Sequence, residues 1–191
     1  LANWLVYAPL ILDSDDVIYR GRVLDMMARS ARHIMKMCTD LPDGPDSLKA
    51  LIGLTLSGLY IPNGEDWLKQ GVTQIKFALS REVLVDGGIR SRNPQELLHL
   101  FMNTALLRDA FSQMSRKAPE EIDSALKRMA ANLKSLSHRD GKLSTFNGTT
   151  IHKHENIHST LLKSSLDDMP GADLNQCGFM NIQRGSSRII M

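Results

Sequence analysis

Apolar residues recur at three- and four-residue steps through much of this chain, the spacing of one face of an α-helix. Behind Ser14, Asp15 and Asp16 come Val17, Leu24, Met27, Ala31, Ile34, Met35 and Cys38. These three residues supply an N-cap and first-turn negative charge, because side-chain oxygens accept the backbone amides that a helix start leaves free. A long amphipathic helix is therefore expected there. "DLPDGPDS" breaks it, and "LKALIGLTLSGLYI" follows, apolar nearly all round, with Gly53 and Gly58 allowing close approach of a neighbour. Such a helix belongs in the interior. "PNGE" from Pro62 is a turn, and Trp67, Leu68, Val72, Ile75, Leu79 and Val83 mark a third helix ending before "DGG". The fourth starts after Asn93, with Pro94 at its first position, and runs through "QELLHLFMNTALLRDAFSQM". A fifth begins near "APEEIDSALKRMAANLKSL", where Pro119 and two glutamates suit a helix N-terminus.

Short connections between consecutive helices predict antiparallel hairpins stacked side by side, a mainly α bundle or toroid. After "HRDGKLSTFNGTT" the helical period vanishes. "IHKHENIHSTLLKSSLDDMPGADLNQ" is polar and turn-rich, and "GFMNIQRGSSRIIM" reads as two short strands around a Gly-Ser turn. The expected organisation is a helical region over residues 1–148 and, over 149–191, a linker with the first strands of a β-type domain. The chain starts at Leu1 and ends on the apolar run "SSRIIM", so both ends read as cut from something longer.

Composition narrows the function classes. Apolar residues at 42% and charged residues at 23% are ordinary for a globular protein and exclude disordered, collagen-like and disulfide-dense classes. A formal charge of +2, with pI near 8.6, fits an anionic partner. It falls short of a dedicated nucleic-acid binder, and the basic residues are scattered among acids without interleaved aromatics, so no nucleic-acid partner is expected. Cys38 and Cys177 are far apart, which argues against a disulfide framework and a thiolate cluster. No apolar run has the length of a membrane span: "NWLVYAPLIL" is interrupted by Pro9 and ends at "DSDD". The methionines suit core filling, while Trp4 and Trp67 fit either a core or a sugar-stacking platform.

Candidate chemistry concentrates in "VDGGIRSRNPQELLHLF", Val85 to Phe101. Asp86, Gly87 and Gly88 suit a helix stop, and Asn93-Pro94 a helix start. Arg90, Ser91 and Arg92 remain. Two guanidiniums beside a helix N-terminus would receive a carboxylate or sulfate; a solvated or internally paired loop is the structural alternative. In "SHRDGKLSTFNG", Asp140-Gly141 and Asn147-Gly148 each suit a tight turn, the second with an exposed amide. The candidate ligand-binding set is Arg90, Arg92, Asn93 and Asn147; no catalytic residue is assigned. His152, His154 and His158 invite a metal reading, but no carboxylate or cysteine spacing accompanies them, so no metal site is expected. His33 falls at the polar boundary of the first helix and His99 within an apolar helix. No nucleophile motif, phosphate loop or dinucleotide fingerprint is present, and no cofactor is expected.

Five ordered segments carry a family resemblance: "NWLVYAPLILDSDDVIYRGRVLDMMARSARHI", "LIGLTLSGLYIPNGEDWLKQG", "VDGGIRSRNPQELLHL", "HRDGKLSTFNG" and "GFMNIQRGSSRIIM". Together they resemble the heparinase II/III-like proteins, and more narrowly a bacterial subgroup with "DGG" followed by "SRNP". The resemblance implies an α/α toroid followed by a β-sandwich, with this chain holding the later, incomplete toroid and the first β-strands. It also implies polysaccharide lyase chemistry on an acidic, uronate-containing polysaccharide. In that chemistry donors neutralise the carboxylate, a Tyr or His removes the C5 proton, and an acid protonates the departing glycosidic oxygen. The family's Asn-His pair would fall at about Pro45 and Asp46 here, and its Tyr at about Glu96 beside Leu97, so those roles do not carry over. The alternative expectation is a non-catalytic glycan-binding or cell-envelope protein that keeps the fold. A cell-envelope or periplasmic location is implied by the resemblance alone.

Overall fold

The computed structural model describes residues 1–150, 156–184 and 187–191. Among these the fold is mainly helical. In chain order the helices are α1 (Ala2–Val6), α2 (Ala8–Ile11), α3 (Val17–Met37), α4 (Pro45–Tyr60), α5 (Glu65–Glu82), α6 (Pro94–Gln113), α7 (Glu120–Leu136) and α8 (Ile157–Lys163). Strands β1 (Asn181–Arg184) and β2 (Ser187–Ile190) form one antiparallel pair. The chain forms two compact units: Leu1–Ala78 with Asp109–Lys117, and Leu79–Arg108 with Ala118–Met191.

In the first unit, α3 starts where Ser14, Asp15 and Asp16 predict, with the Asp16 carboxylate accepting the Tyr19 amide at 3.0 Å. Only Val23, Met27 and Ala31 of α3 are buried, a narrow stripe along the face that meets α4. α4 is buried nearly all round, from Leu48 to Leu59. Its hydroxyls add no unsatisfied donors, because Thr55 donates to the Leu51 carbonyl at 2.7 Å and Ser57 to that of Gly53 at 2.8 Å. α4 starts at Pro45 itself, earlier than its apolar run, because proline's fixed φ and missing N–H suit a first helical position. At Gly58 the start of α5 lies close against α4: a Cβ there would be 2.6 Å from the Leu68 Cα. The Tyr60 hydroxyl donates to Gln113 at 2.9 Å, and burial raises its pKa.

In the second unit, α7 presents Ile122, Leu126, Met129, Leu133 and Leu136 to the core, with Leu97, Leu98, Leu100 and Phe101 of α6 fully buried in the same unit. Helical structure returns after the polar segment, where the sequence pattern predicts none. Asn156 caps α8 by accepting the Ser159 amide at 3.1 Å, and Ile157 and Leu161, one turn apart, are its two buried anchors. Seven residues with two anchors give too short a period to read from spacing. The two strands form where expected, in the register Asn181↔Ile190 and Ile182↔Ile189. Among the described residues no helix is long and apolar enough to cross a membrane.

Candidate functional site

The loop from Val83 to Asn93 leaves α5 through a bridge between Val83 and Ile89. Main-chain bonds from Leu84 N to Gly88 O (2.8 Å) and Gly87 N to Leu84 O (3.0 Å) close it. Asp86 is its anchor. One carboxylate oxygen accepts the Gly88 amide at 3.0 Å, and the other accepts the Cys177 amide at 2.7 Å. From beneath, Arg128 on α7 donates through Nη1 to the carbonyls of Val83 (3.3 Å) and Leu84 (3.0 Å). Asn132, one turn later and fully buried, donates through Nδ2 to the Asp86 carbonyl at 3.0 Å and to the Cys177 sulfur at 3.5 Å. The Cys177 thiol donates in turn to the Leu174 carbonyl at 3.2 Å, and burial pushes its pKa up.

Both glycines are required by what they touch. Gly87 has φ +82° and lies directly on the Arg128 carbonyl, while Gly88 packs against Cys177. The residues singled out in the sequence fare differently. Asn93 is the N-cap of α6: its side-chain oxygen accepts the amides of Gln95 (2.9 Å) and Glu96 (3.2 Å) and the Thr149 hydroxyl (3.0 Å). Ser91 donates to the Glu96 carboxylate at 2.6 Å. Asn147, in the left-handed region at φ +49°, donates to the Arg92 carbonyl at 2.8 Å. Arg92 also has positive φ, +54°, and its guanidinium lies over Gly178, where a Cβ would be 2.9 Å from Nη1. The structure thus brings Arg92, Asn93 and Asn147 together, with the two asparagines bonded to backbone. Arg90 is exposed. His158 lies within α8, whereas His152 and His154 fall outside the described residues.

The cleft beside these residues, between Arg92, Asn93, Leu97, Asn132, Cys177 and Phe179, has a cavity volume of about 10 Å³. That is room for about one water. Phe146 and Phe179 of this unit stack with ring centroids 5.0 Å apart. Sequence reasoning did not single out Arg128, Asn132 and Cys177, which carry the loop. Asn132 is legible in hindsight as a carboxamide within the apolar stripe of α7, three residues beyond Met129. Because Asn93 satisfies two helix-start amides, Asn93→Ala is expected to cost about 1–2 kcal/mol. Urea unfolding followed by circular dichroism measures it, and an unchanged midpoint would refute the capping role.

No protein-family model matches the chain, and no solved structure matches it. The chain is similar to FtsZ-localized protein C of Caulobacter vibrioides (strain NA1000 / CB15N), 27% identical over 141 residues. The match covers 73% of this chain and 24% of that protein, so the chain spans about a quarter of the length of its curated relative. The positions where the resemblance would put lyase groups serve helix starts instead. Pro45 opens α4, Asp46 pairs with Lys49 at 2.9 Å, and Glu96 accepts from Ser91. The expectation of a polysaccharide lyase acting by β-elimination is therefore corrected: the chain's similarity is to a protein named for localisation with FtsZ.

Proposed function

We propose that this chain is a binding module of a protein that localises with FtsZ, acting through surfaces held by its helical frame. The similarity to FtsZ-localized protein C over 73% of the chain carries this reading. The use of Asp86, Asn93, Asn132 and Asn147 to tie backbone segments together supports it, since polar groups bonded in this way serve architecture. For the architecture itself we infer helical hairpins of the α/α toroid kind and a β1–β2 hairpin that opens a sandwich. The exposure of the cross-strand pair Ile182 and Ile189, at 44% and 56%, supports the second inference, because a two-stranded sheet gains independent stability only when an apolar face is packed.

The test is imaging of the full-length protein, fused to a fluorescent tag, in its own host beside labelled FtsZ. The two signals are expected to coincide and to disperse together when FtsZ is depleted. A distribution that ignores FtsZ depletion would overturn the reading.

A further inference from the structure

Asn132 is fully buried in the second unit, and the two ends of its carboxamide are served differently. Nδ2 donates to the Asp86 carbonyl at 3.0 Å and to the Cys177 sulfur at 3.5 Å. Oδ1 is buried and has no hydrogen-bond partner among the described residues. Turning the amide round would not relieve this. Oδ1 would then face the Asp86 carbonyl, acceptor against acceptor, and the Cys177 thiol already donates to the Leu174 carbonyl. A buried carbonyl oxygen without a donor is costly, because it has given up its bonds to bulk water and gained none.

The Asn132 side chain lines the cleft of about 10 Å³ beside Arg92. That volume is about one probe sphere, the space that a single water needs, and a carboxylate or sulfate is too large for it. Ile89, Leu97 and Leu136 give the cleft apolar walls. An apolar cavity of this size stays dry, so the polar lining decides. Besides the Asn132 acceptor, Arg92 and Asn93 bring donors, and neither the Arg92 guanidinium nor the Asn93 Nδ2 takes part in a described hydrogen bond. Acceptor and donors around one cavity are what an internal water requires. Ordering one water costs less than leaving a buried hydrogen bond unmade.

We propose that this cleft is a binding site for a single ordered water, which donates to Asn132 Oδ1 and accepts from Arg92 or Asn93. The water joins the middle of α7 to the far end of the Val83–Asn93 loop. Asp86 and Arg128 hold the near end through direct bonds, so the loop is fixed at one end by side chains and at the other by solvent. This goes beyond localisation with FtsZ, and the two readings fail separately, since the water is observed on the isolated chain.

The experiment is a pair of water-selected NOE and ROE spectra of the 191-residue chain, isotope-labelled in its methyl groups. Methyl protons do not exchange with solvent, so a cross-peak between the water line and Ile89, Leu97 or Leu136 reports a water held beside them. Cross-peaks of opposite sign in the two spectra are expected at these methyls, the signature of a water that tumbles with the protein. Asn132→Leu keeps the size of the side chain and removes the acceptor. In variant protein with wild-type circular dichroism, the cross-peaks are expected to vanish. Their absence from the wild-type spectra overturns the proposal whether or not the variant folds, and their persistence in the folded variant overturns it equally.

Discussion

Gly87→Ala is expected to unfold the second unit or bring it close to unfolding. At φ +82° an alanine occupies a left-handed conformation that costs roughly 1–2 kcal/mol. That is the smaller part. The new methyl would overlap the Arg128 carbonyl and stand 2.9 Å from the Met129 amide, and these are main-chain atoms in the middle of α7. They cannot rotate away as a flexible side chain would, so the loop must lift. Lifting it breaks the Arg128 bonds to Val83 and Leu84 and the Asn132 bond to Asp86 together. Strain and overpacking add to about 3–5 kcal/mol, comparable to the whole stability of many domains. Hydrogen exchange is the sharpest reading, because the Cys177 and Gly88 amides are protected by Asp86 and should lose that protection first. Wild-type protection at both positions would show that the loop does not rest on α7 as described.

Gly58→Ala is the corresponding lesion in the first unit. Here φ is helical, and the cost comes from packing alone. A methyl on α4 would meet the Leu68 main chain, 2.6 Å from its Cα, where α5 begins. Two helix backbones this close can separate only as whole elements, which opens space around Leu56, Leu59 and Ile75. A loss of about 3 kcal/mol is expected, at the upper end for overpacking. Trp4 and Trp67 both belong to this unit, so tryptophan emission during urea unfolding follows it directly. An unmoved emission midpoint would mean that the contact yields cheaply and that α5 is not held against Gly58.

The helices legible from the sequence were those whose ends carry local chemistry and whose buried stripe runs for several turns. Asp16, Asn93 with Pro94, and Pro119 mark starts in the structure as they do in the letters, because a capping oxygen or a fixed φ acts within its own turn. The strand pair was legible as two short runs around a Gly-Ser turn in the letters. What escaped depended on distance. The loop glycines announced a turn, but nothing adjacent to them revealed that Gly87 would sit on Arg128, 41 positions onward, or that Asp86 would hold Cys177, 91 positions onward. Likewise Asn147 suggested an exposed ligand contact, whereas its amide reaches a carbonyl 55 positions away. The arginines of the loop were read together. The structure separates them, since Arg92 lies over Gly178 and Arg90 points to solvent exposure. The lyase expectation rested on a family pattern whose reacting positions here cap and start helices.

The stretch from Asp167 to Ala172 is held to α7 in an asymmetric way. Lys134 donates to the carbonyls of Asp167 and Met169, Ser135 donates to that of Ala172, and the Ala172 amide donates to the Ala131 carbonyl. The helix side of these bonds uses chosen side chains at two positions; the other side offers only main chain, which every residue possesses. Evolutionary drift should therefore be lopsided. Homologous proteins can exchange residues along Asp167 to Met169 and still dock it, while Lys134, Ser135 and Gly171, where a Cβ would lie 2.7 Å from Ser135 Oγ, tolerate few replacements. Relatives will look more distant by letter comparison over this part than their three-dimensional agreement warrants.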